Sequence, residues 1–362
     1  MAGNWRFLLG LETIETVKLY NLGHVPWLDS QLLYHALPRL DMEGLFLLAP
    51  AEPYVCIGRH QDVEQDIDLD YCRANGIPVF RREVGGGGVY LDGQQLFYQL
   101  VLHRDNPLAQ GSKEDFYRRL LAPVAKAYGD LGVPARYKPI NDIVTLDGRK
   151  ISGTGAAELA DHLILVGNVI MDFDYETMVH VLKVPDEKFR DKVYQTLQEN
   201  LTTLKRETGR VPLLEEIVPV LANRFEKVLG LLEPADLPPA VYEKARALEP
   251  WLTSDEWLYK RGKRVSGRDV KIAAGVNVLQ RMHKAPGGLI RATFEIKDGR
   301  ITWASLSGDF FFYPAEKLEA LEAALAGLAL EDVEGTVASF YAAEGIESPG
   351  VTPADLTQVL SG

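Results

Sequence analysis

Residues 81–95 read RREVGGGGVYLDGQQ, with four consecutive glycines behind two arginines. A glycine in the interior of an element costs roughly 0.5–1 kcal/mol against alanine. The run therefore marks either a loose loop or irregular hairpin turn, or a backbone surface that must approach a ligand closely. In the second case the arginines would serve the ligand's negative charge. IPVFR (77–81) leads in and LFYQLVL (96–102) leads out, both apolar and strand-like, so the glycines lie between two strands.

Working outward, LFLLA (45–49) and YVCI (54–57) are further short strands, as are 142–146 and 163–171. Ser112 opens a helix with Asp115 in its first turn and Gly132 as its stop. From 186 to 250 the spacing turns helical, and the proline-rich stretch 234–250 is expected to be a linker. Beyond it, strands near 288–296 and 300–306 are joined by Lys297-Asp298-Gly299, a good hairpin turn. Helices near 314–328, 332–344 and 353–360 complete the chain. Mixed strands and helices imply an α/β (α+β) protein, divided into residues 1–250 and 251–362.

Composition narrows the function classes. Of 362 residues, 46% are hydrophobic and 25% charged, and the formal charge is −12, which suits a globular protein and argues against a nucleic-acid partner. The opening MAGNWRFLLGLETIE meets acids at once and is not expected to be a signal peptide. No run approaches the roughly 18–20 apolar residues of a membrane span, so no membrane partner is expected. Two cysteines, Cys56 and Cys72, fit a reducing cytoplasm rather than a disulfide framework. Both read as buried apolar fillers.

Several catalytic templates are missing. No Gly-Lys-Ser/Thr follows the glycines as a phosphate loop requires, and G-x-G-x-x-G and G-x-S-x-G are absent. The seven histidines are scattered, so no resident metal is expected. A second stretch is more informative: KPINDIVTLDGRKISGTGA, residues 138–156. The Asp147-Gly148 turn brings Lys150 back beside Asn141 and Asp142. Ser152, Gly153 and Gly155 keep the following backbone open. Lys150 is then either a solvated hairpin lysine or a fixed charge aimed at a phosphoryl group.

Taken together, RREVGGGGVY, KPINDI and GRKISGTGA resemble the signature stretches of lipoate–protein ligases, in the superfamily that also holds biotin–protein ligases. The likeness extends upstream through YVCIGRHQDVEQDIDLDYCRANGIPVFRR and downstream to ITWASLSGDFFF. It implies a mixed-sheet catalytic domain followed by a small α+β accessory domain. It further implies that Gly85, Gly86 and Gly87 cradle an acyl-adenylate, that Arg82 lies near it, and that Val89 and Tyr90 wall an acyl tunnel. Gln95, Asn141, Asp142, Ser152 and Gly153 fall among the lipoate- and adenylate-binding positions, and Lys150 matches the catalytic lysine. The implied cosubstrate is ATP with Mg2+, the acid is lipoate or octanoate, and the acceptor is an apo lipoyl domain or an H-protein-like protein.

The chain also departs from the pattern. Leu91 and Val166 stand where the family commonly has histidines, and Gln94-Gln95 replaces Gly-Asn. Octanoyltransferases resemble this scaffold but carry a cysteine downstream of the lysine motif, and none follows Lys150 here. The glycine loop lacks the interleaved arginine of biotin ligases. A degenerate, non-catalytic binder is the rival from another class. Finally, YKRGKRVSGRDVK (259–271) sets six basic residues against one acid. Lys260, Arg261, Lys263 and Arg264 are therefore expected to guide the acceptor.

Overall fold

The computed structural model describes residues 16–262, 270–273 and 276–361. Its first part supplies β1 (Thr16–Val25), β2 (Gly44–Pro50), β3 (Tyr54–Ile57), β4 (Val79–Arg81), β5 (Val89–Leu91) and β6 (Gln95–His103). After the helix Lys113–Asp130 come β7 (Ala135–Lys138), β8 (Asp142–Thr145), β9 (Lys150–Ser152), β10 (Thr154–Leu159) and β11 (His162–Ile170), with β12 (Leu231–Pro234) following later. The main sheet is mixed and six-stranded, in the order β10-β11-β6-β2-β1-β12. β2 and β12 flank β1 in parallel, whereas β6 and β11 run antiparallel to their neighbours.

The expected strands are present because their apolar runs are covered on both faces. β2 is buried at all seven positions, which explains a continuous run where one solvated face would give alternation. On β6, Tyr98 meets Phe225 of the helix Leu214–Leu229, while Gln99 Nε2 donates to Ser30 O of the helix Asp29–Ala36. Successive side chains thus serve opposite faces. The helix expected at Ser112 starts there, with Ser112 Oγ accepting from Asp115 N.

Two expectations change. The proline-rich stretch 234–250 is mostly the helix Pro239–Leu252, docked on Asp29–Ala36 through buried Val241, Ala245 and Leu252. Proline is tolerated in a first helical turn, where its missing N–H has no partner to lose, so Pro239 opens this helix rather than barring it. The short strand β5 also intervenes between the glycines and β6, pairing antiparallel with β3.

The C-terminal part folds around a second core. β13 (Val270–Ala273), β14 (Val276–Ala285), β15 (Gly288–Lys297) and β16 (Arg300–Gly308) form an antiparallel meander. Helices Lys317–Leu325, Val333–Glu344 and Pro353–Ser361 bury Leu318, Leu321, Val337 and Leu356 with its strands. Asp298 and Gly299 have φ of 49° and 77°, as a two-residue hairpin turn with left-handed central residues requires.

Candidate active site

A cavity of about 420 Å³ opens between the glycine loop, the β8–β9 hairpin, the open faces of β6 and β11, and a loop edge of the second core. The Asp147-Gly148 turn, with Gly148 at φ 93°, returns the chain as expected. Lys150 Nζ lies 2.7 Å from Asp142 Oδ1, with both side chains partly exposed. A Cβ built on Gly153 would stand 4.0 Å from Lys150 Nζ and 3.8 Å from Asn168 Oδ1, so the ammonium, the bare backbone and the amide form one surface. The Lys150 carbonyl accepts from Thr202 N at 2.8 Å, which anchors the strand beneath the side chain. Asn141 also lines the cavity, and its Nδ2 donates to Thr154 O.

The glycine loop is propped from within. Arg82 Nη2 donates to Gly85 O at 2.8 Å and Gly87 O at 2.9 Å, while Nη1 reaches Cys56 O at 3.2 Å. Gly86, Gly87 and Gly88 line the cavity, but Gly85 does not. A Cβ on Gly85 would lie 2.8 Å from the Phe311 ring. Gly86 has φ 91°, and its Cβ would come within 3.2 Å of both Arg82 Nη2 and Phe311. The run of glycines therefore answers first to close approach by Phe311 and Arg82, and its last three members offer their backbone to the cavity. Arg81, adjacent in sequence, is fully buried and donates to the carbonyls of Gly58, Arg59 and Leu258.

Other expected site residues divide by strand parity. Val89 and Leu91 line the cavity, whereas Tyr90 points away from it, packing with Val55, Ile57 and Ile67. Tyr90 is thus not a tunnel wall. Gln95 does not reach the cavity either: its Oε1 accepts from Asn168 Nδ2 at 2.7 Å and its Nε2 donates to Tyr90 O at 3.2 Å. Ser152 is buried, its Oγ donating to Asn168 O at 2.6 Å. Both residues orient Asn168, whose Oδ1 accepts from Gly153 N at 2.9 Å. Asn168 lines the cavity and was missed, although one polar residue inside the apolar run LILVGNVIM was a usable signal. Val166, like Leu91, is a cavity-lining position, so both apolar replacements noted in the sequence bear on what binds.

Cys56 is buried in the first core, as expected, and it also lines the cavity. Burial pushes its thiol up, opposed by the neighbouring Arg82 guanidinium 3.6 Å from Sγ. Cys72 packs away from the site with Ile67 and Tyr90, and burial raises its thiol to about 11. From the C-terminal part come Lys284, Asp309 and Phe311, of which Phe311 is packed in the first core. The Phe311 ring stacks on Tyr313, whose hydroxyl donates to Ala156 O at 3.1 Å.

The basic stretch does not present the expected patch. Arg261 is 6% exposed and forks onto Glu322 at 2.8 and 2.9 Å, and Lys260 pairs with Glu319 at 2.8 Å. Both are committed within the chain, while Lys263 and Arg264 lie outside the described residues. Among the described residues, no group of three or more His, Cys, Asp or Glu side chains could hold a metal ion, and no helix is long and apolar enough to cross a membrane.

Residues 27–226 match the family model for the lipoyl protein ligase A/B catalytic domain, and residues 278–360 match that for the bacterial lipoate protein ligase C-terminus. The lipoate-protein ligase LplJ of Bacillus subtilis is 26% identical over 290 residues, covering 79% of this chain and 82% of the relative. The octanoyltransferase LipM of Kyrpidia tusciae is 25% identical over 231 residues, covering 58% and 84%. Among solved structures, one from the archaeal lipoylation system of Thermoplasma acidophilum superposes with a TM-score of 0.60. It is described as a bi-partite lipoate protein ligase and its E2 lipoyl domain. It shares 26% identity and covers 69% of this chain and 99% of its own.

Proposed function

The chain belongs to the lipoyl protein ligase A/B catalytic-domain family, and on that premise we propose that it is an ATP-dependent ligase for lipoate or octanoate, working through an acyl-adenylate. One observation carries the choice within a family that holds both ligases and octanoyltransferases. A lysine ammonium, set by Asp142 at 2.7 Å, faces an open glycine backbone, while the cavity's one thiol among the described residues, Cys56, is buried, and burial disfavours its thiolate. Thioester transfer needs a thiolate. Adenylation needs a fixed positive charge and close backbone.

In the first half-reaction a carboxylate oxygen of the acid attacks the α-phosphorus of ATP, and pyrophosphate leaves. Lys150 offsets the charge that grows on the non-bridging oxygens, and Asp142 keeps its ammonium in place. Asn141 and Asn168 offer amide groups, and the backbone of Gly86, Gly87 and Gly88 allows the phosphoryl group to lie close. Magnesium fits as a partner of the nucleotide, since Asp142 offers one carboxylate and phosphate oxygens would supply further ligands. When bound, it neutralises phosphate charge. In the second half-reaction the amine of an acceptor lysine attacks the acyl carbonyl, loses a proton and expels AMP.

The proposed acceptor is a lipoyl domain or an H-protein-like protein. We also read residues 1–250 and 251–362 as catalytic and accessory units. Two buried cysteines without a disulfide support a reducing compartment, the cytoplasm. The test is acid-dependent pyrophosphate release from ATP by the parent and by Cys56→Ser. Release by both supports the ligase. ATP-independent transfer from an acyl thioester, lost in Cys56→Ser, would support the transferase instead.

A further inference from the structure

The two ends of the cavity differ in chemistry. At the Lys150 end, Asp142, Asn141 and Gly153 are half-exposed. At the other end Gln31, Tyr34, Cys56 and Gln99 are all buried. Three of these four satisfy one another: Tyr34 Oη donates to Gln31 Oε1 at 2.9 Å, and the Cys56 thiol points to the same oxygen at 3.9 Å. Gln31 Nε2 donates outward to Tyr54 Oη at 2.6 Å.

Gln99 is the exception. It is 2% exposed, and its Nε2 donates to Ser30 O at 2.7 Å. A carbonyl only accepts, so this bond fixes which end of the amide is nitrogen. The remaining oxygen, Oε1, is buried and meets no donor among the described residues. A buried acceptor left without a donor is disfavoured and marks a place where a partner belongs.

Strand register places Gln99 relative to the Lys150 end. Gln99 pairs with Val166, and Phe97 pairs with Asn168, the residue that touches Gly153 beside Lys150. Two residues along an antiparallel strand span about 7 Å, within reach of the tail of a medium-length acyl chain whose carboxylate lies at Lys150.

We propose that Gln99 is a specificity-determining residue, and that its Oε1 accepts a hydrogen bond from the distal end of the acid. Within the substrate class proposed above, the preferred acid is then a medium-chain one carrying a hydroxyl or thiol near its far end, as reduced lipoate does and octanoate does not. This rests on the ligase reading for the placement of the carboxylate. A tail ending in methyl would seal the oxygen against hydrocarbon, whereas a donor would satisfy it.

The experiment is calorimetric binding of paired acids to the full chain without ATP: ω-hydroxyoctanoate against octanoate, and dihydrolipoate against lipoate. In at least one pair the donor-bearing acid is expected to bind about tenfold more tightly or better. Gln99→Leu should reverse that order. The hydroxyl and thiol forms of the substrate are separated by which pair shows the preference. If neither pair does so in the parent, a water satisfies the oxygen and the inference is overturned, whether or not the variant folds. Pyrophosphate release with the same acids is scored separately. The expected binding order without any release would sink the ligase reading and leave this one standing. Release with octanoate bound as tightly as its hydroxy form would do the opposite.

Discussion

Lys150 and Asp142 form an ion pair whose side chains are 39% and 30% exposed, and such pairs contribute about 0–1 kcal/mol to stability. The pair is therefore nearly free to serve chemistry. Lys150→Ala should leave the melting temperature within a degree or two of the parent while cutting pyrophosphate release by about 10²–10³. A loss under tenfold would remove Lys150 from the phosphate. Its place beside Asp142 was legible because a short turn fixes what lies across a hairpin. Tyr90, Gln95 and Ser152 were harder, since sequence shows that a residue is near a site and not which way it points. One step along β5 sends Tyr90 into the core while Val89 and Leu91 face the cavity.

The glycine loop is the element that joins fold to site, and its base is held by His35. The ring's Nδ1–H donates to Gln31 O at 2.6 Å, and Nε2 accepts from Glu83 N at 3.3 Å, so the neutral ring satisfies both neighbours. Burial lowers its pKa from 6.5 to about 4, against the pull of Glu83. The unfolded chain takes up a proton below about 6.5 and the folded one resists it until about 4. This contribution is thus present above 6.5 and is lost as pH falls towards 4. Roughly 2 kcal/mol should disappear between pH 7 and 5, measurable by urea unfolding, and His35→Gln should flatten the slope. An equal slope in both proteins would rule this ring out as the source. Gly85→Val should also fail locally, because its side chain meets the Phe311 ring; the acid's affinity is expected to fall about tenfold or more. Nothing in the sequence announced Phe311 as the glycine's neighbour, for the two are 226 residues apart.

At the scale of the whole molecule, the C-terminal part reaches the site through Lys284, Asp309 and Phe311, the last of them packed in the first core, while Arg261 clasps Glu322 of the helix Lys317–Leu325. The meander's last hairpin and its helices were legible in the sequence, because they follow local turn and periodicity rules. The sequence was misleading at 234–250 and 259–261, where prolines and charges look alike in a linker, a helix start or a buried clasp. Arg261→Gln leaves the partly buried Glu322 carboxylate without its fork and should cost about 2 kcal/mol of stability, read by thermal unfolding. The salt dependence of acceptor acylation should not change. The reverse pattern, unchanged stability with a flattened salt dependence, would restore the steering role. Adenylation can be read by mass spectrometry of a single turnover, using the full chain with ATP, magnesium and acid but no acceptor. Near-stoichiometric acyl-AMP bound to the protein is the expected result. Absence of acyl-AMP, together with acyl transfer from a thioester donor without ATP, would contradict the ligase reading.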